Sequence, residues 1–393
     1  MTLKTKSIII LAVFCCLFNS ISAQDNTVAV KPKALRVAVL APLYIDSAFN
    51  GYSYKLGNAN LPKFMTPGLD FYNGVMMAID SLNKEHANIE VWIYDTKKVG
   101  QNITTIVKTL DYMNFSLIIA SLNNAAEQKV ISEFSFSKNI PVISATYPND
   151  AGLTSNPFFV MVNSTLKTHV EGIYKYVQHN YVIGKMIYVT RKGAVESKIK
   201  DYFTAMDSIP DKLKYKTVEL SDNFTPEQLL AHMDSTRQNI VICGSVNETF
   251  GSLVAHTLNN ATSYRSVAVG MPTWDIINPT SVKNIEVVYS TPYNFSRTDR
   301  VGASITKQYK NKLQGRPSDM VFKGFESMYH FSKLLLKDKN DFINNLSDSS
   351  YKIASDFRFE AVRLTSTSFV PDYLENKKLY FIKLQDGAVK SIN

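Results

Sequence analysis

Residues able to carry out acid, base or metal chemistry are present in this sequence, but they are not grouped. The six histidines, His86, His169, His179, His232, His256 and His330, fall on different expected helices and loops, and none stands at a metal-ligand spacing. Asp95 and Glu248 each follow an expected strand and have the chemistry of general acids, yet nothing pairs either with a base. There is no Gly-x-Ser-x-Gly elbow, no Walker loop, and no Gly-x-Gly-x-x-Gly after a strand. Cys243 sits at the end of the apolar run Ile240-Val241-Ile242, as an inert core thiol does. Neither an enzyme nor a bound cofactor or metal is expected. Recognition chemistry, in contrast, is grouped. Leu122-Asn123-Asn124 and Ala145-Thr146-Tyr147 each follow an apolar run, and their amides, hydroxyl and phenol offer donors and acceptors to a small polar molecule.

The elements that must position those two tripeptides lie in one stretch, Phe115 to Thr146. Leu117 to Ala120 and Ile140 to Ile143 are continuous apolar runs of the kind buried in a parallel sheet. Between them Ala126, Val130 and Phe134, with Ile131 alongside, predict one apolar helix face. The result is a βαβ crossover. In such units the residues just past the strands lie side by side on the edge where open α/β sheets bind ligands.

The rest of the chain repeats this theme. Leu35 to Ala41 is an expected strand ending at Pro42-Leu43-Tyr44, and Asp46 to Thr66 reads as an irregular flap rich in Gly, Asn and aromatics. Pro67-Gly68 opens a helix with Tyr72, Val75, Met76, Ile79 and Leu82 on one face, and Ile89 to Tyr94 is the second strand. A second α/β series begins after Phe158 to Val162. It includes strands at Lys185 to Val189, Tyr215 to Leu220, Ile240 to Cys243, Ser266 to Val269 and Ile285 to Tyr289. Phe224-Thr225-Pro226-Glu227-Gln228-Leu229 is a full helix-start signal, with Thr225 as N-cap, Pro226 at N1 and Gln228 reaching back. Gly302 to Leu313 and Phe325 to Leu336 read as helices added to the first domain. Near the end, Leu379 to Leu384 and Val389 to Ile392 straddle Asp386-Gly387, a hairpin signal.

Bulk properties bound the class. Lys4 and Lys6 precede an apolar run from Ile8 to Phe18, and Ile21-Ser22-Ala23 supplies small residues before Gln24, which reads as a secretory signal over residues 1–23, cleaved near Ala23/Gln24 without lipidation. Export to the periplasm or medium follows. Of three cysteines only Cys243 lies beyond that signal, so no intramolecular disulfide is possible. The length of 393 residues exceeds the roughly 250 to 300 at which a single core stops growing, so two domains are expected. A formal charge of +9 is spread along the chain with no basic stripe for a nucleic acid. The sequons at Asn102 and Asn163 are those that an Asn- and Ser-rich chain produces by chance.

The helix GLDFYNGVMMAIDSL after strand one, VWIYDT ending strand two, NIPVISATY after a helix and a late FKGFESMYHFSKLL together resemble the type I periplasmic binding proteins, nearest the leucine/isoleucine/valine-binding (extracellular ligand-binding receptor) branch. The resemblance covers nearly all of the expected mature chain. It implies an α/β fold of two Rossmann-like lobes, each a parallel sheet flanked by helices, joined by three crossings near Val162 to Thr165, Ser290 to Asn294 and Ser350. Lobe one would hold residues 34–162 and 294–350, and lobe two residues 163–293 and 351–393. It implies a monomeric, non-catalytic receptor of the envelope that captures a small polar molecule, amino-acid-like ones being within its range, for an ABC transporter permease, without nucleic acid. The alternative is a sensor or protein-interaction module of the envelope with the same fold.

Candidate ligand-binding positions are Tyr44, Asn123, Asn124, Ala145, Thr146 and Tyr147 in lobe one and Asn247, Glu248 and Trp274 in lobe two; of these the resemblance puts Asn124, Ala145, Thr146 and Tyr147 where the family holds an amino acid's carboxylate. Asn123-Asn124-Ala125 replaces the family's serine-rich turn, and Val246 stands where an aromatic usually covers the ligand. Each position also has a structural reading. Asn123 and Asn124 serve equally well as helix caps, Thr146 and Tyr147 as strand-end turn residues, Tyr44 as a packing aromatic, and Trp274 as core. Arg191-Lys192 reads as a solvated pair. If Trp274 lines the cleft, its emission should report closure while Trp92, within a strand, stays silent.

Overall fold

The computed structural model describes residues 33–365 and 368–392. The expected signal over 1–23, its cleavage site and the leader down to residue 32 lie outside them. In chain order the first half forms β1 (Leu35–Ala41), the short β2 (Phe49–Asn50) and β3 (Ser53–Tyr54), α1 (Thr66–Lys84), β4 (Ile89–Asp95), α2 (Ile103–Asp111), β5 (Leu117–Ala120), α3 (Ala125–Lys138), β6 (Val142–Ser144) and β7 (Phe159–Met161). Then follow α4 (Leu166–Asn180), β8 (Lys185–Thr190), α5 (Ala194–Ala205), β9 (Tyr215–Glu219), α6 (Pro226–Leu230), β10 (Asn239–Cys243), α7 (Glu248–Asn260), β11 (Ser266–Gly270) and β12 (Glu286–Thr291). The chain ends with α8 (Arg300–Leu313), α9 (Asp319–Lys337), β13 (Phe359–Val362), β14 (Tyr373–Asn376), β15 (Tyr380–Gln385) and β16 (Ala388–Ile392).

These strands build two seven-stranded sheets, β13-β14-β7-β6-β5-β1-β4 and β16-β15-β12-β11-β10-β8-β9. Each is parallel except at one edge, where β13 pairs antiparallel with β14, and β15 antiparallel with β12 and β16. Parallel strands are covered on both faces. That explains why β5 and β10 are buried throughout. The first sheet has one face under α1, α8 and α9 and the other under α2 and α3. In the second, α6 and α7 cover one face and α4 and α5 the other. The α/β class, with two flanked parallel sheets, is as the sequence predicts.

Helix α9 joins the first lobe because it lies against α1. Two glycines allow the approach: a Cβ on Gly74 would stand 2.0 Å from the Val321 carbonyl oxygen, and one on Gly324 would stand 2.1 Å from that of Phe71. Elsewhere the local signals hold. The Thr225 N–H donates to Oε1 of Gln228 at 2.8 Å, closing the capping box. Asp386 and Gly387 both have positive φ, 53° and 77°, the primed turn their hairpin needs.

Three readings need correction. The sequence assigns residues 351–393 to the second lobe, but β14 pairs with β7, Leu374 opposite Val160 and Glu375 opposite Met161, and β13 extends the same first sheet. Alternation identifies a strand without naming its sheet. What decides is packing, since the rings of Phe357 and Phe359 lie 5.6 and 6.1 Å from that of Phe331 on α9. In consequence the third crossing is not near Ser350 but runs from Asn376 to Tyr380, beside the first: Ser164 Oγ donates to the Asn376 carbonyl at 2.6 Å, and Asn376 Nδ2 to that of Val162 at 3.2 Å.

The flap at Asp46 to Thr66 is not irregular. It contains the helical turn Ile45–Ala48, the β2-β3 pair with its Phe49–Tyr54 ring contact at 5.4 Å, and a short 3-10 turn at Lys63–Met65. Lastly, the buried face of α3 is turned from the one expected. Ala126 is exposed, while Glu127, Gln128, Ile131, Ser132, Phe134 and Ser135 are buried. Gln128 is satisfied there by the Ser144 hydroxyl at 3.1 Å, a pairing that hydrophobicity does not reveal.

Candidate functional site

Each sheet carries a row of residues just past the carboxyl ends of its strands, where open α/β sheets take ligands. In the first lobe the row is organised by Asp95. Its carboxylate accepts the N–H groups of Leu43 (2.9 Å), Tyr44 (3.1 Å), Ile45 (2.9 Å) and Lys97 (2.9 Å). Three of these donors meet Oδ1 and one meets Oδ2, which commits the carboxylate to the backbone. Its work is to fix the turn after β1. Tyr44 there has a φ of 55° and sets its half-buried ring edge-on to Phe64 at 4.9 Å.

The two tripeptides come together as the crossover predicts. Thr146 Oγ1 donates to the Leu122 carbonyl at 3.4 Å and lies 3.1 Å from Ser121 Oγ, and the Thr146 carbonyl accepts Asn163 Nδ2 at 3.0 Å. This hydroxyl pair is half-buried, with Tyr147 beside it in sequence equally so. Asn124 acts as the cap: its Oδ1 accepts the Glu127 N–H at 2.8 Å. Asn123 is exposed and within 3.4 Å of the Asn124 amide. Ala145 is fully buried, its N–H bonded to the Ala120 carbonyl and its own carbonyl taken by the Tyr293 hydroxyl at 2.7 Å. Lys97 pairs with Glu127 at 2.6 Å.

The second lobe supplies a denser network. Asn247 caps α7 through the Phe250 N–H (2.8 Å) and donates its own N–H to Ser245 Oγ (3.1 Å). Ser245 in turn donates to the buried Glu196 at 2.7 Å, and Glu196 meets Arg191 at 3.3 Å. Arg191 also grips Asp222 through Nε and Nη2, so it is not the freely solvated residue expected. This grip holds the Asp222 carboxyl below its ordinary value. Glu248 is exposed at the start of α7. Trp274 does not line the edge. At 1% exposure it belongs to the core, with its ring against Gly270, where a Cβ would stand 2.0 Å away. Trp92, at 39% exposure on edge strand β4, is the wetter tryptophan.

Sequence reasoning missed the residues that join the lobes. Tyr293, in the second crossing, bonds Ala145 and carries Lys323 of α9 at 4.3 Å from its ring centroid. Burial lowers the Lys323 ammonium from its ordinary value against the pull of Asp319 and of Asp275, which comes from the other lobe. Burial likewise raises Asp275, with Lys323 opposing. Glu375, beside the first crossing, accepts the Thr165 N–H and the Thr168 hydroxyl at 2.7 Å each and pairs with Lys377 at 2.6 Å. Burial disfavours its charge, but these partners outweigh it and hold the carboxyl below its usual value. No local signal marks the Tyr293–Ala145 and Glu375–Thr165 contacts, whose partners are 148 and 210 residues apart.

Comparison with known proteins bears on the fold. No protein-family model and no curated protein matches the chain. Solved structures do. One from Rhodospirillum rubrum, described as a putative branched-chain amino acid ABC transporter, matches with a TM-score of 0.65 and 9% identity over 91% of this chain and 100% of that one. A substrate-binding protein of Desulfitobacterium hafniense in complex with Leu gives 0.59 and 10% over 91% and 99%. A solute-binding protein from R. palustris in complex with benzoate gives 0.52 and 13% over 92% and 96%. The chain therefore has the two-lobed fold of the type I periplasmic binding proteins. Solved structures that share this architecture include proteins described as branched-chain amino acid transporters or their binding proteins.

Proposed function

We propose that this protein is a non-catalytic solute receptor of the cell envelope that closes its two lobes on a small polar molecule and presents it to an ABC transporter. The observation that carries this reading is the pair of strand-end rows, one per lobe, linked by three adjacent crossings. That architecture is suited to hinge closure. In lobe one the Ser121–Thr146 hydroxyl pair supplies the recognition chemistry, with Tyr44 and Tyr147 flanking it. In lobe two it comes from Asn247, Glu248 and the Arg191–Glu196–Ser245 network. Lobe boundaries fall at the crossings, with β13 and β14 on the first-lobe side.

Mass spectrometry of small molecules released from natively purified protein is the direct test. Scattering of the stripped protein with and without the recovered compound should then show compaction. A particular observation favours a second reading, an interaction module of the envelope: Asn124, Ala145 and Asn247 spend carbonyl oxygens on groups of the protein itself, leaving few acceptors for a ligand. No released compound and no compaction with any metabolite pool, together with recovery of a stable envelope partner, would move the assignment there.

A further inference from the structure

A cavity of about 440 Å³ lies between the lobes beside the hinge; none of the nine candidate residues lines it, and Pro148 to Asp150 of its wall continue the chain from Tyr147. Its wall includes Asp150 and Arg363 from the first lobe, Lys167, Lys198 and Tyr202 from the second, and Lys377 of the third crossing. Its volume falls in the range of roughly 300 to 1,000 Å³ typical of small-molecule sites.

The charges are unbalanced in a particular way. Lys377 is committed to Glu375 at 2.6 Å. Asp150 accepts the Gly152 N–H at 2.9 Å and the Tyr373 hydroxyl at 3.2 Å. Lys167 has only a loose exposed pair with Glu171 at 3.8 Å. Among the described residues Lys198 and Arg363 have no carboxylate partner, and Lys198 leans toward the Tyr202 ring, 5.7 Å from its centroid. One cation thus comes from each lobe, and both border a concavity whose apolar walls, Leu166, Val195 and Val362 among them, focus their field. An anion placed between them gains contact with both lobes.

We propose that this cavity is a second binding site, for a small organic anion carrying two or more negative charges, with one end at Lys198 and the other at Arg363. The aliphatic wall and the Tyr202 and Tyr373 rings accommodate its carbon body. Because such a ligand touches both lobes at the hinge, it fixes the angle between them, and its binding is coupled to whatever closes the strand-end rows. The site stands whether or not those rows bind a solute.

Calorimetry at low salt with succinate, citrate and phenyl phosphate, and with dimethyl succinate as the uncharged control, tests this. At least one dianion should bind saturably, weaken as salt rises, and lose about tenfold or more in affinity in Lys198→Ala and in Arg363→Ala. The uncharged ester should not bind, and Lys108→Ala, an exposed lysine on α2, should bind as the parent does. Preference for phenyl phosphate over the carboxylates would identify a phosphomonoester, and the reverse an organic acid. Both altered side chains are exposed, so thermal midpoints should be unchanged. Absence of saturable binding by all three anions, or undiminished binding in both variants, overturns the proposal.

Discussion

Thr146 offers the sharpest test at the scale of single residues. Its hydroxyl is half-buried and already touches Ser121. If it also meets a ligand group, Thr146→Ala should cost about 1 to 3 kcal/mol of affinity for the recovered solute while leaving the fold intact. Calorimetry with that compound measures it. His169 makes a second prediction. Its Nδ1 stands 2.9 Å from Ser290 Oγ, linking the start of α4 to the end of β12, and burial, opposed by Glu375, lowers its pKa to about 4. The neutral ring is the native form. Below the ordinary value near 6.5 the unfolded chain takes up a proton that the folded one refuses, so stability falls as pH drops from about 6.5 to about 4 and levels off beneath it. The loss is on the order of 3 kcal/mol. Thermal unfolding against pH should show this slope in the parent and a shallower one in His169→Asn.

At the scale of elements, the contact between α1 and α9 depends on glycine for space. Gly74→Ala would drive a methyl into the Val321 carbonyl of a packed partner helix. Overpacking of this kind costs about 1 to 3 kcal/mol, and chemical denaturation should show a loss at the upper end of that range despite alanine's better helix propensity. The β2-β3 hairpin predicts the opposite. Of residues 51–60 only Leu56 is half-buried and the rest are exposed. Deleting Gly51 to Asn60 should leave the thermal midpoint nearly unchanged, and a loss of several kcal/mol would show that its aromatics brace the turn held by Asp95.

For the whole molecule, placing Trp274 in the second core changes how closure would be observed. Its indole is dry before any lobe movement, so compaction on binding should be visible in scattering without a shift in Trp274 emission. Trp92→Phe isolates that emission. A ligand-dependent shift in this variant would mean that the second core rearranges on closure. The hinge itself is more tightly bonded than three plain linkers: Glu375 and Lys377 brace the start of α4, and Tyr293 ties the second crossing to β6. Ordered crossings of this kind favour rotation of intact lobes over local unfolding.

The sequence by itself determined the elements, because apolar runs, caps and turn residues act over a few positions. The βαβ unit around Phe115 to Thr146, the Thr225 capping box and the Asp386-Gly387 hairpin are all legible there, and so is the meeting of Leu122 with Thr146, which a parallel crossover dictates. Only the tertiary structure decided which sheet β13 and β14 join, whether Trp274 faces a cleft or a core, and that Asp95 binds four backbone N–H groups. Those outcomes depend on partners far along the chain, such as Phe331 for Phe357 and Val160 for Leu374. Local patterning encodes that a residue will be buried or bonded, but the identity of its distant partner is settled by packing, when the whole set of faces closes together.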